Sequence, residues 1–440
     1  MRRSPFTGPT LFDLGALFAV KGAIGAYVLH AGFSHVSDDD FARVVIAERF
    51  AHHPVLDPSG TSWLPFPFWV TGAAMLALGR SLAVAKAVAF VLGVASVAAP
   101  YLAMRAVGCA RGAAFTGTAV AMALPWSAWL GVATVPEAMT AALVSGGVIA
   151  AGSARWRILA ATALSAAALS RYEAWPACAV VALGCALTAF RSPVDRRRAA
   201  VAAAIACAGP LAWMAWNVYA HGSAVHFLAR VAAYRQAIGA AALPFETKLL
   251  AFPEAVVETA PAAVALAALG SLALVLDPTL RPRWGLALAS AFAILAFLVY
   301  GDLRDGAPTH HPERAILPIL WILVAFAADA LGALVRRYAW GRSAREMWVA
   351  GGVAAGALAW CAQLPGQWRD HPGASAEEAR DVQVTRGLEL ARARAPHIDV
   401  TPCAYEHFAV LAAFGAPERA EVEAPTHTPV TPACPRIATN

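Results

Sequence analysis

Long apolar segments recur along almost the whole chain, and short hinges that carry arginine separate them. About 20 apolar residues cross a bilayer as one helix, because a helix satisfies every backbone hydrogen bond inside lipid. Only 14% of the residues are charged, whereas a soluble domain has about a quarter. The sequence therefore predicts an all-α integral membrane protein with about eleven transmembrane helices. The candidate spans are roughly 11–30, 82–104, 113–131, 138–153, 158–170, 174–190, 199–218, 258–276, 284–300, 315–335 and 347–364.

The basic residues indicate how these spans are oriented. The formal net charge is +6, but the arginines form short clusters between apolar segments, which is typical of orientation signals and excludes a nucleic-acid-binding surface. Because Lys and Arg stay inside, we predict a multi-pass protein of the cytoplasmic (inner) membrane with its N-terminus inside. The inner arginines then lie at 2–3, 105–111, 155–157, 191–198, 281–283 and 336–345.

One apolar block decides this topology. Residues 63–79, WLPFPFWVTGAAMLALG, are short for a span and carry Pro65 and Pro67 near their start. If the block crossed the membrane, every later basic loop would lie outside, against the positive-inside rule. We therefore predict that it is a juxtamembrane or re-entrant helix.

The predicted outer face collects most of the acidic residues and nearly all the histidines, so any chemistry is expected there. It comprises loop 31–81, turns 132–137 and 170–175, loops 219–257 and 301–314, and the tail. A transmembrane domain is predicted over 1–364 and a small external, periplasmic-side domain over 365–440. In the latter, HIDVTP, AYEHFAVLAAFG and AEVEAP predict strand, helix and strand. Cys403 and Cys434 are predicted to form a disulfide, which that compartment permits.

Three consecutive carboxylates, Asp38, Asp39 and Asp40, follow the first span directly, and we call them the acid run. Adjacent like charges repel, so at least one should have a raised pKa unless a cation is nearby, a condition common at active sites. A solvated loop is the plainer interpretation. The membrane-surface position, the aromatic and proline residues of TSWLPFPFW, and Arg43, one helical turn after Asp40, favour a functional site.

These features together resemble the GT-C class of membrane glycosyltransferases. The shared pattern is a first transmembrane helix, an external loop that opens with acidic residues, a Pro-rich juxtamembrane helix and a basic inner loop after the second span. The similarity covers about residues 10–335 and favours the protein O-mannosyltransferase and aminoarabinose-transferase branch. It implies an inverting hexosyl- or pentosyltransferase that moves a sugar from a polyprenyl-phosphate donor to a lipid, glycan or protein acceptor outside the membrane.

The same resemblance implies a catalytic base within the acid run. An arginine three residues after the aspartate favours Asp40 with Arg43, whereas a Ser-Asp-Asp register favours Asp38, and Asp39 stays open. The family's Pro-Pro-Leu stretch is represented by residues 64–67, and the basic residue expected after it by Lys86 or Arg80.

The expected reaction explains why cations should accompany the base. The sugar leaves a phosphate anion behind, so the site needs a carboxylate to accept the acceptor's proton and cations to hold the phosphate. For Arg171 and Glu173, a simple ion pair within a turn is an equal alternative. The candidates for phosphate binding are Arg43, Arg171, Arg304, His310, His311 and Arg314, and the candidate supporting acids are Glu137 and Glu173.

No cofactor and no metal site are predicted. His52, His53, His310 and His311 show no helical ligand spacing with a carboxylate. A divalent cation between the acid run and the donor phosphate is compatible with the resemblance.

Two other classes of function compete with a transferase. A transporter or flippase of a lipid-linked precursor needs ionisable residues deep inside its spans, which are few here. In a non-catalytic subunit of a cell-envelope assembly, the acid run would be a docking or solvated face.

Overall fold

The computed structural model describes residues 8–237, 243–306, 311–338, 362–402, 407–423 and 436–439. Helices α1 to α16 are, in order, Gly8–His30, Asp39–His52, Phe66–Leu78, Leu82–Ala95, Ala98–Ala106, Arg111–Ala123, Pro125–Leu130, Glu137–Ala150, Arg157–Ala168, Ala174–Arg191, Arg196–His221, His226–Ala237, Phe245–Thr259, Pro261–Leu276, Arg281–Leu303 and Pro312–Tyr338. Residues 362–369 are helical and are called α17. The last elements are α18 (Glu377–Arg392), β1 (Ile398–Thr401), α19 (His407–Phe414), β2 (Ala420–Val422) and β3 (Arg436–Thr439).

Membrane character is confirmed, but the count of eleven spans is not. Within the described ranges, six segments are long and apolar enough to cross a bilayer: Gly8–His30, Leu82–Ala106, Ala174–Arg191, Arg196–His221, Pro278–Leu303 and Pro312–Val335. The pair α13 and α14 makes a seventh if its 93° bend lies within one span. The predicted spans 138–153 and 158–170 form helices of only 14 and 12 residues. Most of the predicted span 347–364 lies outside the described residues.

The juxtamembrane block forms a short apolar helix, α3, of 13 residues. At 1.5 Å per residue, such a helix is about 20 Å long, less than the ~30 Å hydrocarbon core. Pro67 lies in its first turn, where the missing N–H has no helical partner in any case. Its length agrees with the prediction that this block is not a span.

The predicted span 113–131 is broken into α6 and α7. Pro125 starts α7 and has no N–H to donate to the preceding turn. The buried Lys21 of α1 donates from Nζ to the Ser127 carbonyl at 2.6 Å and to the Met122 carbonyl at 3.4 Å. Trp368 Nε1 donates to the Ala123 carbonyl at 3.0 Å. Side chains from α1 and α17 therefore donate hydrogen bonds to backbone carbonyls on both sides of the break.

Several loops that were predicted inside meet at one end of the bundle. Asp13, near the start of α1, binds Arg111 through both carboxylate oxygens at 2.7 and 2.8 Å. Arg283 binds Asp329 at 2.7 Å and lies beside Gly108. The acid run follows the opposite end of α1. The two predicted faces are thus separated along α1, while their assignment to inside and outside stays a prediction.

The C-terminal residues build a small sheet with its helices. The strand order is β2-β1-β3, with β1 parallel to β2 and antiparallel to β3. This confirms the predicted strand, helix and strand between Ile398 and Val422. Cys403 and Cys434, the predicted disulfide partners, lie outside the described residues.

One hydrophobic cluster joins this sheet to helices α2 and α4. It contains buried residues of α2, α4, β1 and α19, and their packing removes apolar surface of both regions from water. Among the described residues, the C-terminal region therefore shares one hydrophobic core with α2. The members that carry this contact include Phe41, Val44, Val45, Leu82, Ile398, Val400, Leu411, Ala412 and Phe414.

Candidate functional site

Asp40 is a structural residue of the loop 31–81. Its side chain is buried, and its carboxylate accepts hydrogen bonds from the backbone N–H groups of Val36 (3.0 Å), Ser37 (3.2 Å) and Thr134 (3.0 Å). These bonds tie the start of α2 to turn 132–137. The predicted pairing of Asp40 with Arg43 is wrong, because the carboxylate faces the turn while Arg43 faces aromatic rings. Both oxygens of the Asp40 carboxylate therefore accept two hydrogen bonds each from within the protein.

The raised pKa expected in the acid run is found at Asp40, but its cause is different. Burial raises the pKa of Asp40 to about 6, and the charge of Arg314 and the bonds from Val36 and Ser37 limit the rise. Repulsion from adjacent aspartates is not among the main causes. Desolvation disfavours the charged carboxylate, and it is the largest cause of the raised pKa of Asp40.

This pKa predicts a pH-dependent contribution to stability. A carboxyl that binds its proton more tightly when folded stabilises the folded state below its unfolded pKa, near 3.8, and loses this contribution as the pH rises through about 6. We expect the contribution at pH 5 to exceed that at pH 8 by about 1 kcal/mol. Thermal unfolding of the wild type and of Asp40→Asn at both pH values measures it. A difference in melting temperature that is the same at both pH values would contradict the prediction.

Asp38 is held by the C-terminal region. Arg380 of α18 donates from Nε to Oδ1 at 2.7 Å and from Nη2 to Oδ2 at 2.9 Å. Such a two-pronged contact fixes the carboxylate in position. Asp38 therefore has both oxygens engaged by one guanidinium.

Asp39 is the most accessible residue of the acid run. Its side chain is 44% exposed, and its contact with Arg314 Nη1 is long, at 3.2 Å. Arg314 lies at the start of α16 and is itself buried. Asp39 is thus both reachable from outside and next to a cation.

A chain of alternating charges continues from Asp39 into the protein. Arg314 donates to Glu137 Oε1 from Nε at 2.8 Å and from Nη2 at 2.7 Å. Arg171 also binds this oxygen, and its Nε donates to both oxygens of Glu173 at 3.1 Å. The turn ion pair considered for Arg171 and Glu173 is therefore present. The order is Asp39, Arg314, Glu137, Arg171, Glu173, so three carboxylates share two guanidiniums.

Arg43 differs from these arginines because its hydrogen-bonding capacity is not used. It is only 7% exposed, and its Nε and Nη1 have no hydrogen-bond partner among the described residues. Its guanidinium lies 4.4 Å from the centre of the Trp63 ring and 5.7 Å from that of Phe68. Burial lowers the pKa of Arg43 to about 10, although Glu137 and Asp39 oppose the change. It still carries a positive charge at neutral pH.

A small crevice lies beside Arg43. Its volume is about 40 Å³, and its walls come from α2, α3, α4, α8 and turn 132–137. That is room for about three water molecules. Apart from Arg43 the lining is mainly apolar, with Phe68, Leu92, Val135 and Met139 among the contributors.

The remaining predicted phosphate ligands lie elsewhere or outside the described residues. Arg304 is exposed after the end of α15, and His311 packs against the Trp126 ring at 5.5 Å. His310 lies outside the described residues. Arg80 binds Glu418 at 2.7 and 3.0 Å, so it contacts the C-terminal region and not the acid run.

Sequence reasoning missed Arg380 and Thr134. No local pattern marks Arg380, which lies 342 positions from its partner Asp38. Thr134 was within a predicted outer turn, and a short polar residue between two apolar segments was the available signal. Trp63 and Phe68 were within the aromatic stretch that the sequence marked, but their contact with Arg43 was not predicted.

No protein-family model and no curated protein sequence matches this chain. Solved structures match it in fold. ArnT from Cupriavidus metallidurans, bound to undecaprenyl phosphate, aligns with a TM-score of 0.53 and 17% identity over 91% of this chain and 74% of ArnT. The Archaeoglobus fulgidus oligosaccharyltransferase AglB, in complex with an inhibitory peptide and a dolichol-phosphate, aligns with a TM-score of 0.52 and 14% identity.

The alignment with AglB covers 89% of this chain but only 59% of AglB, so the chain spans less than two thirds of that enzyme. AglB tethered to an acceptor peptide aligns similarly, with a TM-score of 0.53, 14% identity, and 85% and 57% of the two chains covered. At these identities the similarity concerns the fold and does not single out a branch. The chain has the fold of the GT-C membrane glycosyltransferases.

Proposed function

We propose that this chain is an inverting glycosyltransferase that uses a polyprenyl-phosphate sugar at the outer face of the cytoplasmic membrane. Asp39 is the base, and Arg43 binds the donor phosphate. The observation that carries the proposal is Arg43, a buried cation with unused N–H donors whose charge interacts with the accessible carboxylate of Asp39. Leaving a buried guanidinium without partners is costly, so such a group is retained where an anion binds.

Asp39 is the best base because the other members of the acid run are occupied. Asp40 holds the external loop and Asp38 holds Arg380. A general base must reach the acceptor, and only an exposed carboxylate with weak internal contacts does so.

The reaction is a single displacement. The acceptor's hydroxyl or amine attacks the anomeric carbon while the bond from that carbon to the phosphate oxygen breaks, which inverts the anomeric configuration. Asp39 takes the acceptor's proton, and the polyprenyl phosphate leaves with the bonding electron pair. Arg43 stabilises the negative charge that develops on this phosphate.

The fold relatives support a lipid-phosphate ligand. ArnT is bound to undecaprenyl phosphate, and AglB is in complex with a dolichol-phosphate. A sugar phosphate is larger than the 40 Å³ crevice at Arg43. We therefore propose that donor binding widens this crevice.

Incubation of the purified protein with a panel of radiolabelled polyprenyl-phosphate sugars tests the function. Transfer to an added acceptor, or slow hydrolysis of the donor, is the expected result. Inertness toward the whole panel would favour a transporter or a non-catalytic assembly subunit instead. The buried charge of Lys21 in α1 already has a structural partner in the Ser127 carbonyl, so it gives the transporter no support.

Replacing Arg43 by Met should weaken donor binding about 10- to 100-fold, because a hydrogen bond to a charged group contributes about 1.5–3 kcal/mol. The dissociation constant of a labelled polyprenyl phosphate measures this change. Arg230→Met is the matched control, since Arg230 is an exposed arginine of α12. Equal affinities for the two variants would exclude Arg43 as a phosphate ligand.

A further inference from the structure

We infer that Arg380 is a positioning residue, which fixes the first turn of α2 through Asp38 and thereby orients Asp39. The catalytic part of this inference rests on the proposed function. The C-terminal region would then be part of the site machinery, although it contributes no group that touches the substrate.

The contact between Arg380 and Asp38 fixes the orientation of the carboxylate. Arg380 is 8% exposed, and its guanidinium donates hydrogen bonds to both oxygens of Asp38. A third nitrogen, Nη1, donates to Gln383 Oε1 at 3.3 Å, one turn further along α18. A planar guanidinium bound on two sides permits little rotation of the carboxylate, in contrast to a lysine at the same place.

The Asp38 side chain binds Arg380 instead of a backbone N–H of its own helix. Asp38 occupies the N-cap position of α2, where an aspartate normally accepts from a free N–H of its own helix. Its side chain makes no such bond and points to Arg380 instead. The first turn of α2 is therefore held by Arg380 as well as by the contacts of Asp40 with turn 132–137, and not by a cap from Asp38.

The backbone of the C-terminal region approaches the same turn closely. Gly373 has a φ of +90°, and a Cβ at this position would lie 2.7 Å from the His35 carbonyl oxygen. His371 packs edge-on against the Phe33 ring, with the ring centres 5.2 Å apart. The segment that leads into α18 thus lies directly on residues 33–36, just before the acid run.

The far side of α2 is held as well. Arg80, after α3, binds Glu418 through two hydrogen bonds, and α19 packs against the apolar face of α2. Because α2 is fixed along its length, a change at Arg380 is expected to loosen the first turn without releasing the helix. Asp39 lies in that turn, and the orientation of its carboxylate matters for proton transfer.

Hydrogen exchange of the full-length protein tests the contact without any need for activity. We expect Arg380→Met to speed exchange of the amides at 38–42 about tenfold, the effect of losing a bond to a charged group. Asp38→Asn should do the same, and the double variant should exceed neither single variant, because both remove one interaction. Arg392→Met is the control, since Arg392 is exposed on the same helix. Unchanged exchange in Arg380→Met would overturn the inference.

Transfer kinetics test whether the contact between Arg380 and Asp38 orients Asp39 for catalysis or only attaches the C-terminal region to α2. For Arg380→Met we expect kcat to fall about tenfold with little change in the KM for the donor, and Arg380→Lys should recover part of the loss. Faster exchange combined with an unchanged kcat would overturn the positioning role. A wild type that transfers no sugar would refute the proposed function and the catalytic part of the inference together, whereas the exchange result would still decide whether Arg380 holds the turn.

Discussion

Replacing Asp39 by Asn is expected to lower the rate of sugar transfer by about two to four orders of magnitude, the usual contribution of a general base. Asparagine keeps the size of the side chain but cannot take the acceptor's proton. Donor affinity should change little, because Asp39 does not bind the phosphate. Initial rates at saturating donor and acceptor, together with binding of labelled polyprenyl phosphate, measure the two effects.

The neighbouring aspartates provide the controls for this result. Asp38→Asn should lose about as much activity as Arg380→Met, roughly tenfold, since both break one contact. Asp40→Asn should reduce the amount of folded protein more than the rate per folded molecule, because Asp40 holds the loop to Thr134. If all three variants transferred sugar at the wild-type rate, the acid run would not contain the base.

Replacing Glu137 by Gln should destabilise the protein by about 3–5 kcal/mol, the usual cost of removing one partner from a buried ion pair. Glu137 Oε1 is shared by Arg171 and Arg314, so the substitution leaves two buried guanidiniums with less negative charge. Thermal unfolding in detergent or nanodiscs measures the change. Glu254→Gln is a matched control, because Glu254 is exposed in α13. Equal melting temperatures for the two variants would contradict a structural role for the charge chain.

The sequence located several local features of the fold, but the eleven predicted spans are not confirmed. Arginine clusters and apolar blocks are local signals, and they located the acid run, α3 and the turns 132–137 and 170–175. Hydropathy, however, cannot tell whether an apolar helix faces lipid or protein. In α8, Val144, Val148 and Ile149 are fully buried among other helices, so this segment is a short core helix and not a lipid-facing span. Such helices were counted among the eleven predicted spans.

The candidate site could be predicted in part. The acid run, Glu137, Arg171 and Arg314 were all named from the sequence, and the structure brings them together. Their individual roles depend on contacts between distant positions, such as Asp40 with Thr134, 94 residues apart. No local pattern encodes such a pair, because it arises only when the fold is complete. The prediction that Asp40 pairs with Arg43 was based on their spacing of one helical turn, and it failed for the same reason.

Arg314 binds both Asp39 and Glu137, so Asp39 belongs to a chain of paired charges. This pairing has an electrostatic consequence for turnover. A glycosyl phosphodiester has one negative charge, and the phosphate that departs has a second. When Asp39 takes up the acceptor's proton, one carboxylate charge disappears from the site as the new phosphate charge appears beside Arg43. The total charge of the site is then the same before and after the displacement. Separating net charge costs more as the permittivity falls, so the proposed reaction avoids this cost beside the buried Arg43 and Arg314 without taking up an ion from the solvent.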